Sequence, residues 1–350
     1  MISHTLAAVL FTPNKPLVIM DVAIPPLKPG QVLVDISFSG VCHSQLLEIR
    51  GKRGEDRFLP HTLGHEGSGI VRDVGPEVTK VRTGDHVVLS WIKGSGRDVP
   101  STLYESEKGP INSGAISTFM QTTVVSENRI TPISKKIPLK EAALLGCAIP
   151  TGSGIILNSI EFHPGNTIAI FGVGGIGMSS ILAANLMHAS KIIAIDILDK
   201  KLQTAMDLGA THLINSKKEN VVTQIQKITG GIGVDYAVEA VGKTETMEIA
   251  FKSVRDKGGI CVLAGNLPHG EKILLDPFDF IKGKKIIGTW GGETYPDRDI
   301  PLYVELYLAG KLDLKKLITH DFDLGQINDA FNELEKGNVG RALINMNTSN

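Results

Sequence analysis

Between residues 150 and 290 two patterns alternate, and this alternation constrains the fold more than any other feature of the chain. Apolar runs suited to strands occur at 167–171 ("TIAIF"), 191–196 ("KIIAID"), 212–215 ("HLIN"), 234–240 ("VDYAVEA"), 259–265 ("GICVLAG") and 284–290 ("KKIIGTW"). Apolar residues at helical spacing fill 176–188, 199–208, 219–229 and 244–254 between most of them. A tight turn can only send a strand back antiparallel, whereas a helical crossover returns it parallel. The expected fold is α/β, with six such strands in a doubly wound parallel sheet.

From about residue 6 to 133 the texture differs. Short β-type runs such as "QVLVDISFSG" and "GDHVVLSW" are separated by turn signals such as "KPG" and "RTGD", which predicts an antiparallel β-domain with few helices. A chain of 350 residues also exceeds what one hydrophobic core usually supports, so two domains are expected. The stretch 93–113 shows no periodicity and reads as a surface loop or lobe. The tail, 297–350, carries two helical patterns and a closing strand, "RALINM", that could return to the first domain.

Several function classes are disfavoured by composition. A net charge of −1 gives no sign of a nucleic-acid or acidic-surface partner. No apolar stretch reaches the roughly 20 residues of a membrane span, and the first residues lack the pattern of a signal peptide. Cys42, Cys147 and Cys261 are odd in number and far apart, which argues against a disulfide framework. Reduced thiols and a cytoplasmic location are expected.

The run "TIAIFGVGGIGMSSILAANL" contains Gly172-x-Gly174-x-x-Gly177. The spacing alone is weak, but here it follows an apolar strand and opens a helix. The first glycine permits a tight turn, the second lets backbone approach a pyrophosphate, and the third lets helix and strand pack closely. Gly175 and Ile176 lie at the same helix N-terminus, which favours anionic phosphate. Asp196 closes the next strand, nineteen residues after Gly177. A carboxylate there accepts hydrogen bonds from ribose hydroxyls and repels a 2′-phosphate, which favours NAD over NADP. Lys201, one turn into the following helix, could reach the same ribose. A plain structural turn with a capping aspartate is the competing reading.

A Cys₂His set is the other candidate. Cys42 stands in "GVCHSQLL", His65 in "LGHEGSG" and Cys147 in "LLGCAIPTG". Two cysteines and one histidine match a catalytic zinc site that keeps a fourth position open. Adjacent strand residues point to opposite faces, so His65 and Glu66 could aim at one ion only across a bent turn. Spacing does not decide between ligands and small core cysteines. His61 and His86 read as surface or packing histidines, and Cys261 as core.

Taken in order, "GVCHS", "LGHEGSGIVRDVG", "RTGDHV", "GCAIPTG", "FGVGGIG", "IIAID" and "GRALINM" resemble the zinc-dependent alcohol dehydrogenase family of medium-chain dehydrogenases/reductases, over nearly the whole length. The resemblance implies a GroES-like β-rich catalytic domain, 1–149 completed by 291–350, and a Rossmann domain, 150–290. It implies Cys42, His65 and Cys147 as zinc ligands, and Glu66 as a neighbouring acid able to coordinate transiently. It places Ser44 at the substrate hydroxyl and His43 at the cofactor pyrophosphate. Thr151 would line the nicotinamide site. Lys243, Ala264, Gly265 and Arg341 would join Gly172–Gly177, Asp196 and Lys201 in holding NAD. The reaction implied is hydride transfer between an alcohol and NAD, with zinc as Lewis acid, in a homodimer or homotetramer.

Three departures from the family pattern stand out. The region 90–113 has no cysteine, so one catalytic zinc and no structural zinc are expected. Leu47 occupies the position where many members carry a proton-relaying histidine. Arg50, Lys52, Arg53 and Arg57 form a charged run near the expected pocket mouth, which fits either a solvated loop or a polar, polyol or sugar-like substrate. Trp91 is expected to narrow the pocket. The rivals are a zinc-free reductase, disfavoured by the complete ligand set, a glutathione-linked formaldehyde dehydrogenase, and a non-catalytic NAD-binding scaffold.

Overall fold

A computed structural model describes residues 3–347. Contacts divide the chain into two compact units, one running to Cys147 and resuming at Tyr295, the other spanning Ala148–Thr294. The boundaries thus fall at 147/148 and 294/295 where the sequence suggested 149/150 and 290/291. The physical reason lies inside the second unit. Thr294 Oγ1 donates to the Pro150 carbonyl at 3.1 Å, and Asn158 Nδ2 donates to the Gly292 carbonyl at 3.2 Å. These bonds tie the ends of the segment together.

In the second unit the six expected strands form one parallel sheet. Its order is His212–Asn215, Lys191–Asp196, Thr167–Phe171, Tyr236–Glu239, Ile260–Leu263, Lys285–Gly288. The chain starts in the middle, winds outward one way and then the other, which leaves a crevice at the carboxyl end of the first strand. The helix Gly175–Leu186 is buried on most of its surface, through Gly177, Ser179, Ser180, Ala183 and Ala184. Its small side chains permit this: a Cβ on Gly152, in the helix Ala148–Gly154, would stand 2.5 Å from Ser179 Cβ. A helix apolar all round belongs inside a structure. A core cluster of this unit, joined by the helices Val221–Ile228 and Thr244–Ser253, includes Ala169, Ile193, Ile214, Ala237, Phe251 and Cys261. Cys261 is fully buried, as expected of a core residue, and burial pushes its thiol pKa up.

Mostly antiparallel sheets build the first unit. Gln31–Val41 pairs antiparallel with both Glu66–Val74 and Arg341–Asn345. The closing strand therefore does return to the N-terminal domain, and Ala342 lies opposite Val41. A second sheet contains Ser3–Leu10, Val18–Ile24 and three two-residue strands. Two of these, Leu103–Tyr104 and Ile111–Asn112, lie in the stretch expected to be a loop. Most of that stretch is irregular, but Tyr104 and Ile111 are fully buried, and the Tyr104 hydroxyl oxygen accepts a hydrogen bond from the Val124 amide at 2.8 Å. Two-residue strands are too short to show a period, so the anchors were invisible as a pattern. Among the described residues no single helix is long and apolar enough to cross a membrane.

Candidate metal centre and cofactor site

The strand Gln31–Val41 ends one residue before Cys42, and the short helix His43–Ile49 begins one residue after it. This junction holds Cys42 still: its backbone N–H donates to Gln45 Oε1 at 3.2 Å, and its carbonyl accepts from the Gln45 and Leu46 amides. His65 arrives on the other side of a turn made by Gly64, whose φ of +100° lies in the left-handed region that a side chain disfavours. Cys147 follows the 3₁₀ turn Ala143–Gly146, whose last carbonyl accepts from Ser90 Oγ at 2.7 Å. The Cys42 and Cys147 sulfurs and a His65 ring nitrogen all come within 4.8 Å of one another.

The donor set fits a zinc ion. His65 Nε2 is buried and has no hydrogen-bond partner, a state that costs free energy unless something occupies its lone pair. The Cys42 thiol sits well below its ordinary range. A hydrogen bond with Cys147 is the main cause; burial opposes it, and the neighbouring His65 and Arg341 lower it further. Thiolate is the metal-binding form. Ser44 Oγ lies 3.4 Å from Cys42 Sγ, beside the cluster. Leu47 is buried, so its position offers the proton no polar path.

Glu66 is fully buried next to His65 yet turns elsewhere. Its carboxylate forms an ion pair with Arg341, itself 5% exposed. Ser39 Oγ and Thr118 Oγ1 both donate to the Glu66 carbonyl at 3.0 Å. Gly40 leaves the space that the carboxylate occupies, and a Cβ on Gly146 would stand 2.7 Å from Glu66 Cβ. The converging ligand set is Cys42, His65 and Cys147; Glu66 stands behind it with its charge balanced. Arg341, expected at the cofactor, lies in the same unit as the metal centre, and its charge also supports the Cys42 thiolate.

The cofactor candidates divide by role. Gly172 has φ +89°, and a Cβ there would meet Val241. A Cβ on Gly177 would run into the Gly172 carbonyl, so strand and helix touch through backbone. Gly174 opens onto empty space at the helix N-terminus, as the pyrophosphate position requires. Asp196 accepts from the Val173 amide at 2.8 Å through one oxygen and from the Leu198 amide at 3.0 Å through the other. The carboxylate is thereby fixed against the glycine turn. Lys201 is half-buried on the helix Asp199–Asp207, and Lys243 is exposed at the N-cap of Thr244–Ser253. Ala264 and Gly265 both donate their amides to the Glu239 carbonyl at 2.9 Å. Thr151 is buried with an unpaired Oγ1. His43 is exposed at the first turn of its helix, and the Trp91 amide donates to the His65 carbonyl at 3.1 Å.

Sequence reasoning missed Glu239. One of its oxygens accepts from the Val241 and Gly242 amides and from Thr246 Oγ1, so it organises the turn that follows its strand. Burial raises its pKa, and the other oxygen has no partner. An acidic residue ending a buried strand was the available signal. Gly40 and Gly146 were also missed, because their role depends on a residue far away in sequence.

Comparisons with known proteins agree with this geometry. Residues 28–135 match the alcohol dehydrogenase GroES-like domain, and residues 175–308 match the zinc-binding dehydrogenase family. An alcohol dehydrogenase class-3 of Zea mays is 34% identical, over 97% of this chain and 96% of that protein. The S-(hydroxymethyl)glutathione dehydrogenase of Synechocystis sp. is 33% identical, over 97% and 98%. The crystal structure of benzyl alcohol dehydrogenase from Acinetobacter calcoaceticus superposes with a TM-score of 0.89 at 31% identity, covering 98% of this chain and 99% of that one. With its GroES-like and Rossmann-type units and its Cys₂His cluster, this chain belongs to the zinc-dependent alcohol dehydrogenase family of medium-chain dehydrogenases/reductases.

Proposed function

We propose that this protein oxidises an alcohol to the aldehyde or ketone, reversibly, with NAD as hydride acceptor and one catalytic zinc per chain. The observation that carries the reading is the convergence of two sulfurs on a buried, unpartnered His65 nitrogen. Zinc bound there supplies Lewis-acid polarisation of the substrate oxygen, and NAD supplies hydride chemistry. The chain's own residues do the rest. Cys42, His65 and Cys147 hold the metal, and two thiolates offset its charge. Ser44 Oγ, beside Cys42, accepts the proton that leaves the alcohol while passing its own on to water, so it acts as a relay. Glu66 and Arg341 fix the charge behind the ligands. The Gly172–Gly177 turn admits a pyrophosphate, Thr151 offers its free hydroxyl, and Asp196 selects an unphosphorylated ribose.

The charged loop after the first helix supports a polar substrate. Arg50 is held by Glu335 and Arg53 by Glu48, whereas Lys52 and Arg57 are exposed and form no ion pair among the described residues. Such side chains suit a polyol, a sugar-like alcohol or an anionic group. The names of the class-3 and S-(hydroxymethyl)glutathione dehydrogenase relatives support a second reading, a glutathione-linked formaldehyde dehydrogenase, whose substrate carries two carboxylates. NADH production across alcohols, polyols and S-hydroxymethylglutathione separates the two. No turnover on any of them would favour the scaffold reading.

We also propose a cytoplasmic homo-oligomer. The strand Lys285–Gly288 lies at one end of the parallel sheet, and Leu274 and Ile281 nearby in sequence are 83% and 77% exposed. An apolar margin along a sheet edge suits a second copy. Light scattering on the purified enzyme would return a dimer or tetramer mass; a monomer would contradict the proposal.

A further inference from the structure

A second group of metal-ligating side chains lies in the first unit, outside the Cys₂His cluster. Glu48 on the helix His43–Ile49, Asp56 in the following loop and His61 on the strand His61–Thr62 bring one donor atom each to within 4.8 Å of the others. Their side chains are 27%, 15% and 5% exposed.

Proton counting makes this group unusual. His61 Nδ1 lies 2.9 Å from the Thr62 carbonyl, which can only accept, so Nδ1 carries the hydrogen. A neutral ring then presents a bare lone pair at Nε2. That lone pair faces Asp56 Oδ2 at 2.7 Å and Glu48 Oε1 at 3.8 Å, both of them acceptors. One added proton could bridge His61 to Asp56 but would leave Glu48 beyond hydrogen-bond reach. A cation satisfies all three at once.

The companion atom of each donor is also held. Asp56 Oδ1 accepts from the Phe58 amide at 3.0 Å, and Glu48 Oε2 lies 3.5 Å from Arg53 Nη1. With Nδ1 tied to Thr62, every donor has an outer partner that orients it, the arrangement that supports metal ligands elsewhere. Donor atoms around a tetrahedral ion at about 2.0 Å stand roughly 3.3 Å apart. The two His61 distances, 2.7 and 3.8 Å, lie on either side of that value.

We infer that Glu48, Asp56 and His61 form a second, exchangeable site for a divalent cation with nitrogen and oxygen ligands. Binding there ties the charged 50–60 loop to the helix that follows Cys42 and carries Ser44, and to the strand that leads to His65. With no thiolate, the site holds divalent ions more loosely than the Cys₂His cluster; it takes up ions such as Mn²⁺ and releases them on dialysis, whereas the Cys₂His cluster retains zinc.

The test is a Mn²⁺ titration of dialysed, full-length enzyme, following the electron paramagnetic resonance signal of the free ion. One Mn²⁺ should bind per chain. Glu48→Gln, a change at a partly exposed side chain, should weaken binding by about tenfold or more, and Asp56→Asn with His61→Gln should abolish it. Cys42→Ser should leave Mn²⁺ binding unchanged, which separates this site from the catalytic one. No uptake by the unsubstituted enzyme at millimolar Mn²⁺, or uptake that Glu48→Gln and Asp56→Asn both leave unchanged, would overturn the inference.

Discussion

Glu66 and Arg341 form an ion pair in which neither side chain reaches solvent appreciably, at 0% and 5% exposure. They lie 275 positions apart in sequence and meet because the closing strand Arg341–Asn345 pairs with Gln31–Val41, just before Cys42. Removing one member of a buried pair strands the other charge, at a cost of about 3–5 kcal/mol. Glu66→Gln should therefore lower the thermal midpoint clearly. Combining Glu66→Gln with Arg341→Met should recover part of the loss, as calorimetry on both variants would show. A loss in the double variant equal to the sum of the separate Glu66→Gln and Arg341→Met losses would mean that the pair is not coupled.

A second consequence concerns the space that Glu66 occupies. A Cβ on Gly40 would overlap the Glu66 carboxylate, so Gly40→Ala must push that side chain and its Arg341 partner. Overpacking of this kind costs about 1–3 kcal/mol. Denaturant unfolding should show that loss together with a fall in kcat, since Cys42 stands two residues on.

For the cofactor unit, Asp196→Ala removes the anchor of the Val173 amide and, on the proposed function, the ribose acceptor. NAD should bind about tenfold more weakly or worse, and the ratio of kcat/KM for NADP over NAD should rise. Fluorescence titration of NADH and steady-state kinetics with both cofactors would check this. An unchanged ratio would remove Asp196 from the discriminating role.

Much of this was legible in sequence for a simple reason. The parallel strands show as short, continuous apolar runs because neighbours cover both faces of most of them, and the helices between them are long enough to repeat. The GxGxxG turn was legible because its glycines act on one another locally: Gly177 exists to clear the Gly172 carbonyl. The Cys₂His set was different. Its three members come from separate parts of the chain; residue type made them a candidate set, and only the family resemblance read them as ligands. Gly40 and Gly146 around Glu66, and Asp56 beside His61, were beyond reach because each acquires its role from a tertiary neighbour. His61 read as a surface or packing residue; it is buried, with Nδ1 on the Thr62 carbonyl and Nε2 facing the Asp56 carboxylate at 2.7 Å.

The pH dependence of stability follows from Glu239. Burial raises its folded pKa above the ordinary carboxylate value of about 4.3. The folded state then binds more protons than the unfolded state across that window, so this residue's contribution is complete below it and is lost as pH rises through the folded pKa. Glu239→Gln should flatten the dependence of unfolding free energy on pH just above 4.3. Parallel curves for the two proteins would show that Glu239 titrates normally.

Ser44→Ala should lower kcat far more than it weakens NAD binding, because the hydroxyl stands beside Cys42 in the metal unit and the NAD-binding glycines lie in the other. Stopped-flow kinetics with independent NADH titration would separate the two. Equal losses in kcat and in NAD affinity would place Ser44 outside the proton path.

The most direct measurement is zinc content set against NADH production. Enzyme dialysed free of loosely held ions should retain one zinc per chain. Stripping that zinc with a strong chelator should abolish turnover on a responsive alcohol, zinc alone should restore it, and Cys147→Ser should lose both metal and activity. Full turnover after complete removal of zinc, or two zinc ions per chain surviving dialysis, would contradict the account.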